Sequence, residues 1–309
     1  MSASAPASAP GTTAPPAATV GDRFEPALMR RKLTGTIFYG ACLAAIGVLL
    51  LTLTFLLIDV FSRGLPWLDP DFIGGVPSRR PERAGILPAL VGSFQVGLFV
   101  GLFSFPLGVA AAIYLTEYAR DSWVNRLLQT NISNLAGVPS IIYGILGLAL
   151  FVRLLGLGPT SLAAGLTMTL LILPVVIIAS IEALRAVPEA QREGAYALGA
   201  TRWQMVRRSI LPAAAPGIMT GLILAMARAI GEAAPLLLIG ASVFVTFLPN
   251  PIEGSYTVLP IQVLQWASRP QADFQGISAA AIIVILALML VLNGLALVVR
   301  ARLSRHIQW

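Results

Sequence analysis

Six stretches of the chain run for about twenty residues or more with almost nothing but apolar side chains, which is the length a helix needs to cross the hydrocarbon of a bilayer. They cover Thr34 to Ile58, Leu87 to Leu115, Leu135 to Leu155, Ser161 to Ile181, Ala213 to Ala241 and Ile277 to Val299. Lipid offers a peptide group no hydrogen bond, so only an α-helix or a closed barrel can span it. Barrel strands alternate apolar and polar residues in short pieces. These stretches are continuous, which selects helices. Composition agrees: 57% of the 309 residues are hydrophobic and 11% are charged, where soluble domains carry about a quarter charged. The expected fold class is an all-α integral membrane protein with six transmembrane helices.

Residues 1–29 differ from the rest. Met1 to Val20 is Ala, Pro, Ser and Thr without a basic residue or an apolar core. It lacks the layout of a signal peptide and reads as a disordered cytoplasmic tail. Residues 30–309 are expected to form the membrane domain. With the N-terminus placed inside, fourteen of the 21 Lys and Arg residues fall in cytoplasmic segments and six in outer loops. Basic residues favour the inner side, so both termini are expected in the cytoplasm of a multi-pass protein. The outer arginines Arg79, Arg80 and Arg83 run against that rule. The net charge of +7 suits anionic lipid. The arginines sit in short clusters between apolar runs and form no basic face for nucleic acid.

Several chemistries are excluded by census. His306 is the only histidine and Cys42 the only cysteine. A histidine metal site or a Ser-His-Asp triad inside the membrane is ruled out, and no cofactor is called for. No catalytic residue or metal ligand is assigned. Cys42 lies in an apolar run and is expected to be a small buried hydrophobe. The only lysine, Lys32, follows Arg30-Arg31, so the chain has no phosphate-cradling Gly-rich loop ending in lysine. Any nucleotide is bound by another chain.

Two constellations remain. Between the fourth and fifth stretches lies a polar segment, about residues 182–212. Ala195, Leu198, Trp203, Met205 and Val206 alternate there with Arg202, Gln204, Arg207 and Arg208, and Gly199 divides the run into two short amphipathic helices. Such helices suit docking in a partner's groove; an ordinary interfacial helix is the other reading. Glu193-x-Ala195, Gly199 four residues on, and Leu211-Pro212 twelve residues past that glycine resemble the EAA loop of ABC importer permeases. Gly194 stands where that loop commonly has a second alanine, and Ser209 where isoleucine is common.

The fifth stretch holds Arg228-Ala229-Ile230-Gly231-Glu232-Ala233-Ala234-Pro235. Arg228 and Glu232 are four apart and are expected on one helical face. Insertion scales put a mid-bilayer charge at about 2.5–3.5 kcal/mol, so two in one turn need a wet or protein-buried setting. Gly217, Gly221, Ala225, Ala229 and Ala233 form a small-residue stripe beside them, the kind that brings helices close. Pro235 is expected to kink the helix. Arg228 and Glu232 are either a structural ion pair or a site on an anion's path. A guanidinium fork suits a tetrahedral oxyanion.

Arg-Ala-x-Gly-Glu-x-Ala-Pro, together with Gly137-Val138-Pro139-Ser140-Ile141-Ile142-Tyr143-Gly144, Gln265-Trp266-Ala267-Ser268-Arg269-Pro270 and Asn293, resembles the Pst-type phosphate permeases, A-type subunit more than C-type. The resemblance covers about Thr34 to Arg302. It implies a type I ABC importer permease fold in a bacterial or archaeal plasma membrane and no enzymatic activity of the chain itself. It also implies a second permease subunit, two ATPase subunits and an extracytoplasmic phosphate-binding protein. Glu193, Ala195, Gly199, Leu211 and Pro212 would couple to the ATPase, and Arg228 and Glu232 would line the substrate pathway. Another oxyanion, molybdate or sulfate, is the alternative cargo, and a phosphate-sensing role would add to transport. Of the remaining polar residues, Gln95 is expected to bond between helices or to line the path. Ser140 and Tyr143 follow a Gly-Val-Pro break, where freed backbone would contact an anion or serve packing. Trp266 is expected as an interfacial anchor, with a binding-protein contact as the alternative.

Overall fold

The computed structural model describes residues 28–241 and 244–304; His306 and the expected tail, residues 1–29, lie outside the described residues except for Leu28 and Met29, which open a helix instead. The chain divides into two units, residues 1–56 and 57–309. In the first, the described residues belong to helix α1 (Leu28–Gly64), which continues into the second. Cys42, expected to be buried, is exposed on that helix.

Among its described residues the second unit has helices joined by loops and no strand. After α1 come the short α2 (Pro70–Gly74), α3 (Leu87–Ile113), α4 (Trp123–Ala136), α5 (Ser140–Gly147) and α6 (Ser161–Arg185). Then follow α7 (Glu189–Ala197), α8 (Arg202–Met205), α9 (Leu211–Gly231), α10 (Ala234–Ile239), α11 (Leu259–Ala267) and α12 (Ala272–Ser304). Polar residues mark several starts. The side chains of Asp69, Ser122 and Thr160 accept from backbone N–H groups in the first turns of α2, α4 and α6. Each satisfies a donor that the helix itself leaves unpaired.

Among the described residues five helices are long and apolar enough to cross a membrane, or six if α4 and the helix after it form one bent span. Two expectations about continuity are corrected. The third stretch, expected as one span from Leu135, is bent by 100° between α4 and α5. Pro139 lacks an N–H and disfavours a helical Val138, so the turn opens at Gly137-Val138. The fifth stretch, expected to run to Ala241, stops at Gly231. A helix continued through Pro235 would set the proline ring against the carbonyl of Gly231.

The most enclosed span is α6, with Met168, Ile172 and Leu184 fully buried. Its neighbour α3 runs parallel to it: Gly165 faces Phe99 and Gly108 faces Val176. On another side α9 packs antiparallel through the expected small-residue stripe. A Cβ on Gly217 would lie 2.8 Å from the Cβ of Ala183, and Gly221 sits directly against Ala179. Ala225 and Ala229 of the stripe are buried in the central cluster with Val96, Val100 and Leu236. The other flank of α9 packs on α12, where Gly231 approaches Met289. The end of α1 closes on the same helix, Gly64 lying against Ala279 and Ala280.

The stripe therefore sets the α6–α9 separation. Gly221→Leu is expected to destabilise the purified protein by about 1–3 kcal/mol, the usual range for overpacking, read as a lower midpoint of thermal aggregation in detergent. Gly97→Ala, whose added Cβ would meet only the Ile230 side chain at 3.8 Å, is expected not to lower that midpoint.

Candidate functional site

The two helix breaks face each other. Gly144, on the first turns of α5, is so close to α10 that a Cβ there would lie 2.8 Å from the Cα of Pro235. At this junction the Ser140 hydroxyl donates to Glu232 Oε1 at 2.7 Å. The Tyr143 hydroxyl donates to the Leu135 carbonyl at 2.9 Å, tying α5 back to the last turn of α4 across the bend.

Arg228 and Glu232 are not one turn apart on one face. Glu232 follows the last residue of α9 with an extended backbone, φ −86° and ψ 123°, and its half-buried carboxylate points to Ser140. Arg228 lies on α9 with its side chain exposed. No ion pair joins the two residues. Ser140, Tyr143 and Glu232 meet at this junction, the carboxylate braced within, while Arg228 lies exposed on the last turn of α9.

Exposure of Arg228 is informative because of where it lies. Leu224 and Gly231, each within a turn of it, are exposed too. A guanidinium on a spanning helix does not face hydrocarbon at acceptable cost. This face of α9 is therefore one that meets water or another protein.

Gln95, expected to bond between helices or to line the path, bonds a loop instead. Its Nε2 donates to the Pro249 carbonyl at 2.9 Å, fixing α3 to the loop after α10. Trp266, expected at an interface, is instead wholly buried and packs on Phe72 with ring centroids 6.1 Å apart. It is part of a core cluster with Leu259, Phe274 and Ile277, so no docking protein can reach it. Asn293 of α12 lines a cavity of about 180 Å³ shared with Met219, Met226 and Ile230 of α9.

The second constellation lies at the opposite end of α6 and α9. Gly199 has φ +77°, the left-handed conformation that an L side chain adopts only with strain. It turns the chain from α7 to α8, which opens with a capping box: Thr201 and Gln204 exchange side-chain and backbone bonds of 2.9 and 3.3 Å. From Arg202 the chain is helical without a gap into α9. The expected join at Leu211-Pro212 is a change of hydrogen-bond register, with Val206–Ile210 forming a π turn. Pro212 cannot donate to the carbonyl of Arg208, and the wider turn accommodates that loss.

Within this segment Glu193 is exposed, Ala195 is half-buried and packed on the core below, and Leu211 packs on the same core. Met205, Val206 and Ile210 are buried there with Leu115, Ile181 and Leu184. The outer face carries Leu198 and Trp203, 90% and 55% exposed. One residue that the motif reading passed over is prominent. Arg192 is 14% exposed and bonds Glu117, which is 6% exposed, at 2.9 Å. That hydrogen bond raises the Arg192 pKa above the ordinary arginine value, against the lowering that burial exerts. The sequence signal was Glu117 itself, an acid at the end of an apolar run. Among the described residues no cluster of His, Cys, Asp and Glu could hold a metal ion.

Residues 104–305 match the family described as "Binding-protein-dependent transport system inner membrane component". Among individual relatives, the "Probable ABC transporter permease protein YqgH" of Bacillus subtilis (strain 168) is 39% identical over 190 residues, 59% of this chain and 61% of that one. The "Phosphate transport system permease protein PstA 1" of Mycobacterium tuberculosis (strain ATCC 25618 / H37Rv) is 32% identical over 271 residues, 85% of this chain and 86% of that one. Among solved structures, a chain of the bacterial alginate ABC transporter in complex with its periplasmic protein superposes with a TM-score of 0.64 at 17% identity, over 90% of this chain and 97% of that one. The fold is that of an ABC importer permease.

The local geometry separates two glycines of this segment, Gly194 and Gly199. Gly194 is helical with open space around its Cα, so Gly194→Ala is expected to stabilise α7 by up to about 1 kcal/mol. Gly199→Ala forces a left-handed alanine and is expected to cost about 1 kcal/mol. Limited trypsin cleavage at Arg202 checks both: it should slow in the first variant and quicken in the second.

Proposed function

The chain belongs to the family of binding-protein-dependent transport system inner membrane components, and from that premise we propose that it is one permease subunit of an ATP-driven importer of inorganic phosphate. Its alignment with phosphate-transport permeases runs through 85% of its length. A permease subunit performs no covalent chemistry. It supplies half of a translocation path and carries the motion of separate ATPase subunits to that path. The partners of this reading are a second permease, a pair of ATPases, and a phosphate-binding protein outside the membrane. Residues 30–309 form the membrane domain, residues 182–212 lie on the cytoplasmic side, and both termini lie there too.

The observation that carries the cargo reading is Arg228, a cation exposed on a spanning helix beside two helix breaks. Turned toward the partner permease, it lines the path. A guanidinium binds tetrahedral oxyanions through a planar fork of donors. The first turn of α5 points its dipole's positive end at the same junction. Glu232 accepts a hydrogen bond from Ser140 and keeps further acceptor capacity. A carboxylate at this junction favours an oxyanion that still carries a proton, and at neutral pH phosphate does and sulfate does not. At the other end, Leu198, Trp203 and Tyr196 present an exposed apolar face for the ATPase cleft, and Glu193 beside them adds charge.

Arg228→Gln is expected to cut uptake of radiolabelled phosphate into cells by at least tenfold, about 1.4 kcal/mol or more of transport free energy, with unchanged membrane levels. Phosphate affinity of the separate binding protein should not move. Near-normal uptake by this variant would remove Arg228 from the path.

A further inference from the structure

The EAA-type residues explain how a partner could seat on residues 182–212, but not what moves the spans once it does. Arg192 answers that question by its contacts. Its Nη2 donates to Glu117 Oε1 at 2.9 Å and to the Leu184 carbonyl at 2.9 Å. Its Nη1 donates to the Val187 carbonyl at 2.9 Å and to Glu189 Oε2 at 3.3 Å. Its Nε donates to both Glu117 oxygens, at 3.3 and 3.4 Å. One guanidinium on α7 therefore grips the far end of α3 and the last carbonyls around the end of α6. The positive charge also sits where the α6 dipole is negative.

The surroundings make this grip stiff. Glu117 and Arg192 are almost buried at the rim of a cluster that joins Leu115, Leu184, Met205 and Ile210. Breaking a buried ion pair leaves an uncompensated charge, so the two groups resist separation far more than a surface pair would. A second tie runs parallel to the first: the Arg202 guanidinium stands 5.6 Å from the centre of the Tyr118 ring. Both ties land on one π turn, Tyr114–Tyr118. A second π turn, Val206–Ile210, joins α8 to α9. Such turns are frequent at functional sites, and here they occupy two of the joints around the segment.

We infer that Arg192 and Glu117 are a positioning pair that turns a displacement of the coupling segment into a movement of α3 and α6. Neither touches cargo or nucleotide. The inference rests on reading residues 182–212 as the segment that meets the ATPase. A push on α7 is passed through the clamp to α3 and through the Leu184 and Val187 carbonyls to α6. Since α6 packs on α9 through Gly217 and Gly221, the movement reaches the helix that carries Arg228.

The test uses the whole complex in proteoliposomes, with ATP on the side of the ATPases and the loaded binding protein on the other. ATP hydrolysis and anion import are measured together, for the anion that the wild-type complex imports. Glu117→Gln keeps a hydrogen-bonding side chain and removes the charge. It should assemble with the ATPase subunits at wild-type stoichiometry and hydrolyse ATP, yet the anion moved per ATP should fall on the order of tenfold, within the usual span of coupling factors. Arg192→Lys keeps the charge but loses the fork that holds several partners at once, and should lower the same ratio. Glu117→Asp, which retains the charge, should recover part of it. An unchanged ratio in assembled Glu117→Gln and Arg192→Lys complexes would overturn the inference. So would failure of both to assemble, since the pair would then serve folding alone. Loss of the ATPases from Glu193→Lys, with the clamp intact, would support the reading of residues 182–212 on which the inference stands. A wild-type complex that hydrolyses ATP without importing any anion would refute that reading and, with it, the inference.

Discussion

Hydrocarbon gives an unwound peptide group nothing to bond with, and this chain unwinds twice within its spans. The breaks at Gly137-Val138-Pro139 and at Glu232-Ala233 lie against each other, α5 on α10, with no side chain on Gly144 to hold them apart. Irregular backbone is tolerated at membrane depth where protein buries it or a wet cavity meets it. The meeting of the two breaks supplies the first condition through the Ser140–Glu232 and Tyr143–Leu135 bonds. The exposed guanidinium of Arg228 calls for the second. The rest of the architecture holds this junction in place: α6 in the centre, α3 parallel to it, and α9 pressed on it through two glycines.

The opposite end of the bundle solves a different problem. A segment that meets the ATPase, as proposed above, has to be rigid, attached, and still able to present a face. Gly199 and the Thr201–Gln204 capping box fix its shape. Met205, Val206 and Ile210 fix it to the ends of the spans. Leu198 and Trp203 are left outside. Because α8 runs into α9 with only a π turn between, the segment is an extension of a span and not a loop hung from one.

How much of this was legible beforehand depended on the range of the interaction involved. The spans follow from length and hydropathy, which are local, and so does the Gly199 turn. The small-residue stripe was readable from Gly217 to Ala229 because helical spacing puts those members on one face; Ala233, its last member, lies beyond the end of α9. The relation of Arg228 to Glu232 was misread because the spacing of four assumes an unbroken helix, and Pro235 breaks it; the proline was noted as a kink when it is a terminus. Trp266 was misjudged because burial of a tryptophan depends on what folds over it, here Phe72 from a segment almost two hundred residues earlier. The Ser140–Glu232 bond and the Arg192–Glu117 clamp join residues 92 and 75 positions apart, and no periodicity reports such pairs.

The central claim is that this fold, with its two facing breaks and its exposed arginine, belongs to a phosphate importer. Purified complex in liposomes, supplied with ATP and with phosphate-loaded binding protein, tests it against phosphate, sulfate and molybdate side by side. The account predicts ATP-dependent accumulation of phosphate and none of the other two oxyanions above the level without ATP. Accumulation of sulfate or molybdate in preference to phosphate would contradict it.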